Sequence, residues 1–161
     1  VMYGNIVNKK FCKNDTADNI YCSHVLEHVS YIDAKKMLKN IYEMLKPDGI
    51  LRIVVPSLKS RIERYNQDND ANKFMNSLGC VRENESMNLI YKFRFIFGGS
   101  RHRWMYDENS LHQELQQAGF KLIRSCEFGD SNLEIFSEVE EESRFFGDNK
   151  QLKEIAFHCV K

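Results

Sequence analysis

The sequence predicts an α/β fold with a mostly parallel sheet and a reversed terminal strand. Three observations carry this. Residues 15–56 read as strand, polar loop, amphipathic helix, turn and strand, the order of a parallel crossover unit. The second strand of that unit, 50–55, is apolar at nearly every position instead of alternating, as a strand buried on both faces would be. Strand-like segments then flank the end of the chain at 120–126 and 152–160, the last expected to run antiparallel to its neighbour.

Taken in order, residues 1–7 read as a strand already under way and 9–18 as a polar connector. The first strand of the crossover unit covers 19–25. Ser30 can cap the helix that follows, with Asp33 at its third position favouring the positive end. Ala34, Met37, Leu38, Ile41 and Leu45 form its apolar stripe, while Lys35, Lys36, Lys39 and Glu43 face water. Lys46 suits the last turn, Pro47 stops the helix and Asp48-Gly49 turns the chain. Beyond Pro56, Leu58, Ile62 and Tyr65 carry a weak helical period, with Arg61, Glu63 and Arg64 exposed. Phe74, Met75 and Leu78 suggest a short helix ending at Gly79, and 88–97 reads as a helix terminated by Gly98-Gly99. Asp107 or Asn109 can cap a helix running to Ala118, with Leu111 and Leu115 inward and Gly119 at its end. The acidic cluster at 138–142 is expected to be an exposed edge.

The chain has 161 residues, 42% hydrophobic and 29% charged, which suits one domain over 1–161 with a real core. Lysine plus arginine balance aspartate plus glutamate at 23 each, so no basic field points to nucleic acid or an anionic membrane. No apolar run reaches bilayer length. The five cysteines are scattered and lack paired metal spacing, which suits reduced structural thiols and a cytoplasmic location.

Polar chemistry is densest at Ser23, His24, Glu27 and His28, at the carboxyl end of the first strand. Ligands of open parallel sheets bind at that end. A neutral His28 imidazole can take a proton from an acceptor, with Glu27 paired to it; the plainer readings are a packing histidine and a solvated carboxylate at a helix start. His24-x-x-Glu27-His28 also matches an H-x-x-E-H zinc pattern. With His24 at a strand end and no third ligand placed by the spacing, no metal is assigned. A second cluster is His102, Arg103, Trp104 and Tyr106: an arginine that can bind a carboxylate or phosphate and a tryptophan that can exclude water, or else an aromatic anchor with solvent-facing basic residues.

The segment YCSHVLEHV, followed by MLKNIYEMLKPDGILRIVVP, resembles the middle of class I S-adenosylmethionine-dependent methyltransferases, most nearly the type 11 group. HRWMYDENSLHQELQQAGFKLI resembles the segment that closes such domains, so the resemblance covers roughly residues 2–128. It implies a partial Rossmann-like fold in which 19–25, 50–55, 120–126 and 152–160 are the last four strands. It implies S-adenosyl-L-methionine as cofactor, with Asn5 and Ile6 near adenine and Ser23 and His24 at the methionine and sulfonium end. Glu27, His28 and His102 then stand as catalytic candidates beside the cleft, and Arg103, Trp104 and Tyr106 as walls for a small or modified acceptor. The family's glycine-rich loop and ribose-binding acid have no counterpart here. The chain is therefore expected to be the carboxyl-terminal two-thirds of such a domain, part of a longer enzyme, a shortened form, or a chain that recruits its other half. An uncovered sheet edge would favour a homo-oligomer. The alternative is a non-catalytic interaction protein on the same truncated fold.

Overall fold

The structure, a computed structural model, describes residues 5–8, 10–80, 101–147 and 152–161. The helix expected at 88–97 lies outside them.

Four strands form one sheet in the order β1-β2-β4-β3, with β1 Ala17–Ser23, β2 Leu45–Val55, β3 Lys121–Ser125 and β4 Ile155–Val160. β1 and β2 are parallel, and β4 is antiparallel to both β2 and β3. Hence β1, β2 and β3 share a direction and β4 alone is reversed, as expected. The carboxyl ends of β1 and β2 meet at one edge, with Ser23 beside Val54.

Helix α1, Tyr31–Met44, joins these strands. The Ser30 hydroxyl oxygen accepts from the Asp33 N–H at 3.2 Å, and its O–H donates to the Asp33 carboxylate at 2.8 Å. Ala34, Met37, Leu38, Ile41 and Met44 are its buried stripe. The helix stops at Met44, earlier than the Lys46 and Pro47 signals suggest. Leu45–Gly49 instead enters β2 as an irregular extension, where the pairing register shifts between Ala17 and Asn19. Asp48 takes φ 62°, and a Cβ on Gly49 would lie 2.8 Å from the Lys46 carbonyl oxygen, so the turn chemistry bulges a strand instead of forming a separate loop.

One face of the sheet, with Leu51, Ile53, Val55, Phe157 and Cys159, packs with residues of α1 and α4 (Glu108–Ala118). Asp107 and Ser110 form a reciprocal cap at the start of α4, and Gly119 closes it at φ 107°. Its Leu111 and Leu115 are fully buried, each worth about 1.5–3 kcal/mol of apolar burial. The opposite face carries Val54, Cys126 and Ala156 against Phe145. Arg52 shares that face by strand alternation.

Two buried ion pairs overturn the expectation of solvated charge. In α2, Leu58–Asp68, it is Arg61 that is buried, while Ile62 and Tyr65 are exposed. Arg61 forks onto Glu154, with one branch at 2.7 Å, and Glu154 also accepts the Ser57 N–H at 2.8 Å. The acidic cluster likewise contains a buried member. Glu140 pairs with Arg52, which is fully buried in β2 and also reaches Asp130 at 2.9 Å and the Glu127 carbonyl at 2.7 Å. Short helices α5, Glu134–Ser137, and α6, Ser143–Phe146, place Phe136 and Phe145 beside its guanidinium, each ring centre 5.8 Å away. Helix α3, Ala71–Ser77, completes the described elements and leads to Gly79.

No helix among the described residues is long and apolar enough to cross a membrane. The cysteines are free, and burial pushes the Cys22 thiol up to about 12 and Cys126 up to about 11, which suits packing and not reactivity.

Candidate active site

Beyond Ser23 the chain must leave the sheet and start α1 within seven residues. His24 turns it with φ 51°, a left-handed conformation that is uncommon without glycine, while its N–H still bonds the Val54 carbonyl at 2.9 Å. A 3₁₀ turn, Leu26–His28, follows and drives Leu26 and Glu27 inward; both are fully buried.

Glu27 is the centre of the site. Its backbone carbonyl accepts N–H bonds from Arg103 at 2.7 Å and Trp104 at 3.3 Å, which docks the 101–104 segment onto the turn. Three imidazoles then face one carboxylate oxygen, Oε1: His24 Nδ1 at 3.5 Å, His28 Nε2 at 3.6 Å and His102 Nε2 at 4.0 Å. The His28 and His102 rings meet edge to face with centres 4.9 Å apart. Among the described residues neither Glu27 oxygen has a hydrogen-bond partner. Burial pushes its carboxyl up to about 7. Burial also holds His24 below its ordinary value, and burial plus the neighbouring His28 charge holds His102 below its own.

The outer nitrogens are set by backbone. His24 Nε2 lies 2.9 Å from the Arg144 carbonyl oxygen and His28 Nδ1 lies 3.3 Å from that of Arg101. A carbonyl only accepts, so these nitrogens carry the protons and the nitrogens facing Glu27 are lone pairs in the neutral rings. His102 is seated differently. Its N–H bonds the Gly79 carbonyl at 3.0 Å, and its ring lies where a Cβ on Gly79 would sit, 2.6 Å from Nδ1. Gly79→Ala must therefore adopt φ near +67° and displace the imidazole. The expected result is a loss of about 1–2 kcal/mol with a shifted His102 ring resonance; an unmoved resonance would show that the ring is not held there.

The structure thus brings together Ser23, His24, Glu27, His28 and His102. The Ser23 hydroxyl oxygen is buried at the same strand end, beside the Tyr21 hydroxyl. Arg103 and Trp104 lie alongside and are exposed, with Trp104 against Tyr31 at the start of α1, ring centres 4.8 Å apart. Tyr106 corrects the expected acceptor wall: it is 1% exposed, packs in the main core, and its backbone bridges to Ser57. Asn5 and Ile6 are not brought to the cluster. Residues 5–8 form a turn and not a strand, with the Asn5 side chain accepting the Val7 N–H at 2.9 Å. Asn40 holds that turn through the Ile6 carbonyl at 2.7 Å, nine residues along α1 and so about 14 Å from the helix start.

The model of a family described as a methyltransferase domain matches residues 4–125. The chain belongs to that methyltransferase domain family. Solved structures similar to this methyltransferase domain include a SAM-dependent methyltransferase from Archaeoglobus fulgidus, with a TM-score of 0.53 at 16% identity over 99% of the chain. Another is 1,6-didemethyltoxoflavin-N1-methyltransferase from Burkholderia thailandensis, with a TM-score of 0.53 at 15% identity over 97%. Human N-acetylserotonin methyltransferase gives 0.52 at 14% identity over 99%. The chain spans 66%, 48% and 33% of those three proteins, so two thirds of their length or less. No curated protein matches it. The class I methyltransferase-like fold is common to all of these.

In this methyltransferase domain the sequence finds four of the cluster's members at the strand end, Ser23, His24, Glu27 and His28, and the closing segment supplies His102. It misses Gly79 and the carbonyls of Arg101 and Arg144, because backbone groups leave no mark in residue type.

Proposed function

We propose that the protein transfers a methyl group from S-adenosyl-L-methionine to a small or modified acceptor, with Glu27, His28 and His102 lining the acceptor side. The observation that carries this reading is the buried Glu27 carboxylate, without a hydrogen bond among the described residues and faced by three imidazoles, at the carboxyl edge of a methyltransferase-family sheet.

The residues present fit one side of the methyl donor. The Ser23 hydroxyl, buried beside that of Tyr21, stands at the strand end, where it can bond the donor's amino-acid portion. The sulfonium, when bound, supplies an already activated methyl carbon. The chain's own residues orient the acceptor, exclude water and hold its proton. His28 Nε2 is the proton acceptor, because the Arg101 carbonyl keeps the proton on Nδ1. Glu27 stabilises the imidazolium that results. Arg103 and Trp104, exposed at the rim, meet the acceptor's outer part. Asn5 and Ile6 remain an adenine-side proposal. The protein works in the cytoplasm and self-associates along the β1 edge, which has no further strand among the described residues.

Calorimetric titration with S-adenosylhomocysteine tests the reading. Saturable micromolar binding is expected, with Ser23→Ala several-fold weaker. His28→Ala should leave that affinity within about threefold and lower turnover by about 10²–10⁴ on an acceptor found by labelled-methyl screening of small alcohols and amines. A folded chain that binds no S-adenosylhomocysteine overturns catalysis and leaves a non-catalytic interaction protein.

A further inference from the structure

Glu27, His28 and His102 each offer one ligand atom, and these atoms all lie within 4.8 Å of one another. We propose that they form a binding site for a late first-row divalent metal ion of the zinc type. The inference stands on side-chain geometry and holds whether or not the chain transfers methyl groups.

The atoms that converge on Glu27 repel it. A carboxylate oxygen carries only lone pairs, and backbone carbonyls at the outer nitrogens of His24 and His28 leave lone pairs on the nitrogens facing it. Acceptors converging on an acceptor need a positive centre between them, either a proton or a cation. The separations choose between the two. A shared proton draws nitrogen and oxygen to about 2.7–2.9 Å. A zinc-sized ion about 2.0–2.1 Å from each ligand in a tetrahedron holds the ligands about 3.3 Å apart. The observed 3.6 Å for His28 and 4.0 Å for His102 stand nearer the second spacing, and among the described residues neither Glu27 oxygen makes a hydrogen bond.

The surroundings have the form of a metal site. Two imidazoles with one carboxylate favour zinc, cobalt or nickel over magnesium or calcium, which prefer oxygen ligands. The Arg101 carbonyl fixes the His28 tautomer, as outer partners of metal-bound histidines do. Glu27 is completely buried, so an ionised carboxylate there needs a compensating charge. His24 Nδ1, 3.5 Å from the same oxygen, is a further nitrogen facing the position. Three protein ligands leave a coordination place for water or an acceptor atom. Proton uptake and metal binding use the same lone pairs, so they describe two separable states of the cluster.

The experiment strips the full chain with chelator and titrates Zn²⁺ against a chromophoric competitor, with Co²⁺ absorbance as a second probe. One equivalent is expected to bind, and millimolar Mg²⁺ should not displace it. Glu27→Gln and His102→Ala should each weaken Zn²⁺ by about 100-fold or more. Cys80→Ser should leave the affinity unchanged, because among the described residues the nearby exposed thiol bonds backbone carbonyls and not the cluster. Should either ligand variant fail to fold, ring resonances of the unmodified chain decide: Zn²⁺ should shift His28 and His102 and leave His112 and His158 in place. Absence of binding, a strong thiolate charge-transfer band with Co²⁺, displacement by Mg²⁺, or shifts confined to other histidines would each overturn the assignment.

Discussion

Arg52→Ala is expected to lower the unfolding free energy by about 3–5 kcal/mol. Arg52 is fully buried in β2, and its guanidinium bonds Glu140, Asp130 and the Glu127 carbonyl between two phenylalanine rings. Removing it leaves the Glu140 carboxylate, 1% exposed as a side chain, with no buried cation. It also loosens the 126–147 segment, which this residue helps to hold together with the small apolar cluster around Val54 and Phe145 and the His24 contact to the Arg144 carbonyl. The expected loss is a large share of the 5–15 kcal/mol that holds a typical domain. Urea unfolding measures it, and hydrogen exchange should show 126–147 opening before α1. Arg52→Lys should recover only part, since the three partners are met by three separate guanidinium nitrogens and a lysine brings all its donors on one. Pairing Arg52→Met with Glu140→Leu should recover most of it, because the charge left behind is the main cost. A single-variant loss below about 1 kcal/mol, the worth of an exposed pair, would rule out the buried arrangement.

Glu27→Gln is expected to have the opposite sign: it stabilises the metal-free chain at pH 8 by about 3 kcal/mol. The folded carboxyl is raised to about 7 from an ordinary 4.5. Between those values the folded state holds a proton that the unfolded state has released. Stability from Glu27 is therefore full below about pH 4.5 and lost as pH rises to about 7, at about 1.4 kcal/mol per unit. Glutamine carries no such burden and can donate to the histidine lone pairs. His24 and His102, held below 6.5 in the fold, act the other way: their contribution is full above that value and is lost as pH falls. Subtracting the glutamine profile from the parent profile isolates Glu27. A flat difference between pH 5 and 8 in chelator-treated protein would show that the carboxyl titrates as it does in water.

Much of the scaffold was legible because its signals are local. Ala34, Met37, Leu38 and Ile41 share a stripe at helical spacing, Ser30 and Asp107 are short polar caps, and β2 shows unbroken apolarity. These follow from backbone geometry within a few residues. The placement of Ser23, His24, Glu27 and His28 also followed, since a strand end in a parallel unit points to one edge of the sheet. Local rules failed where a partner was distant. Arg61 sits 93 residues from Glu154, and Arg52 sits 88 residues from Glu140. Seen in sequence, Arg61 and Glu140 are charges expected to face water; paired with Glu154 and Arg52, both are part of the interior. Tyr106 failed for a related reason. Its aromatic neighbours suggested a rim, but the following helix draws it into the core.

By itself, then, the order of apolar periods and caps determined the layering, the parallel crossover and the edge at which polar side chains gather. Only the tertiary structure decided what those side chains confront. Folding brings His102 to Glu27 across 75 positions, seats it over Gly79, and turns two histidine tautomers with carbonyls from residues 101 and 144. Hydrophobic burial supplies the driving force for that convergence and fixes few of its details. Burial strips water from the carboxylate, and the resulting gap between acceptor atoms, 3.5–4.0 Å wide, is set by packing of segments that share no local pattern.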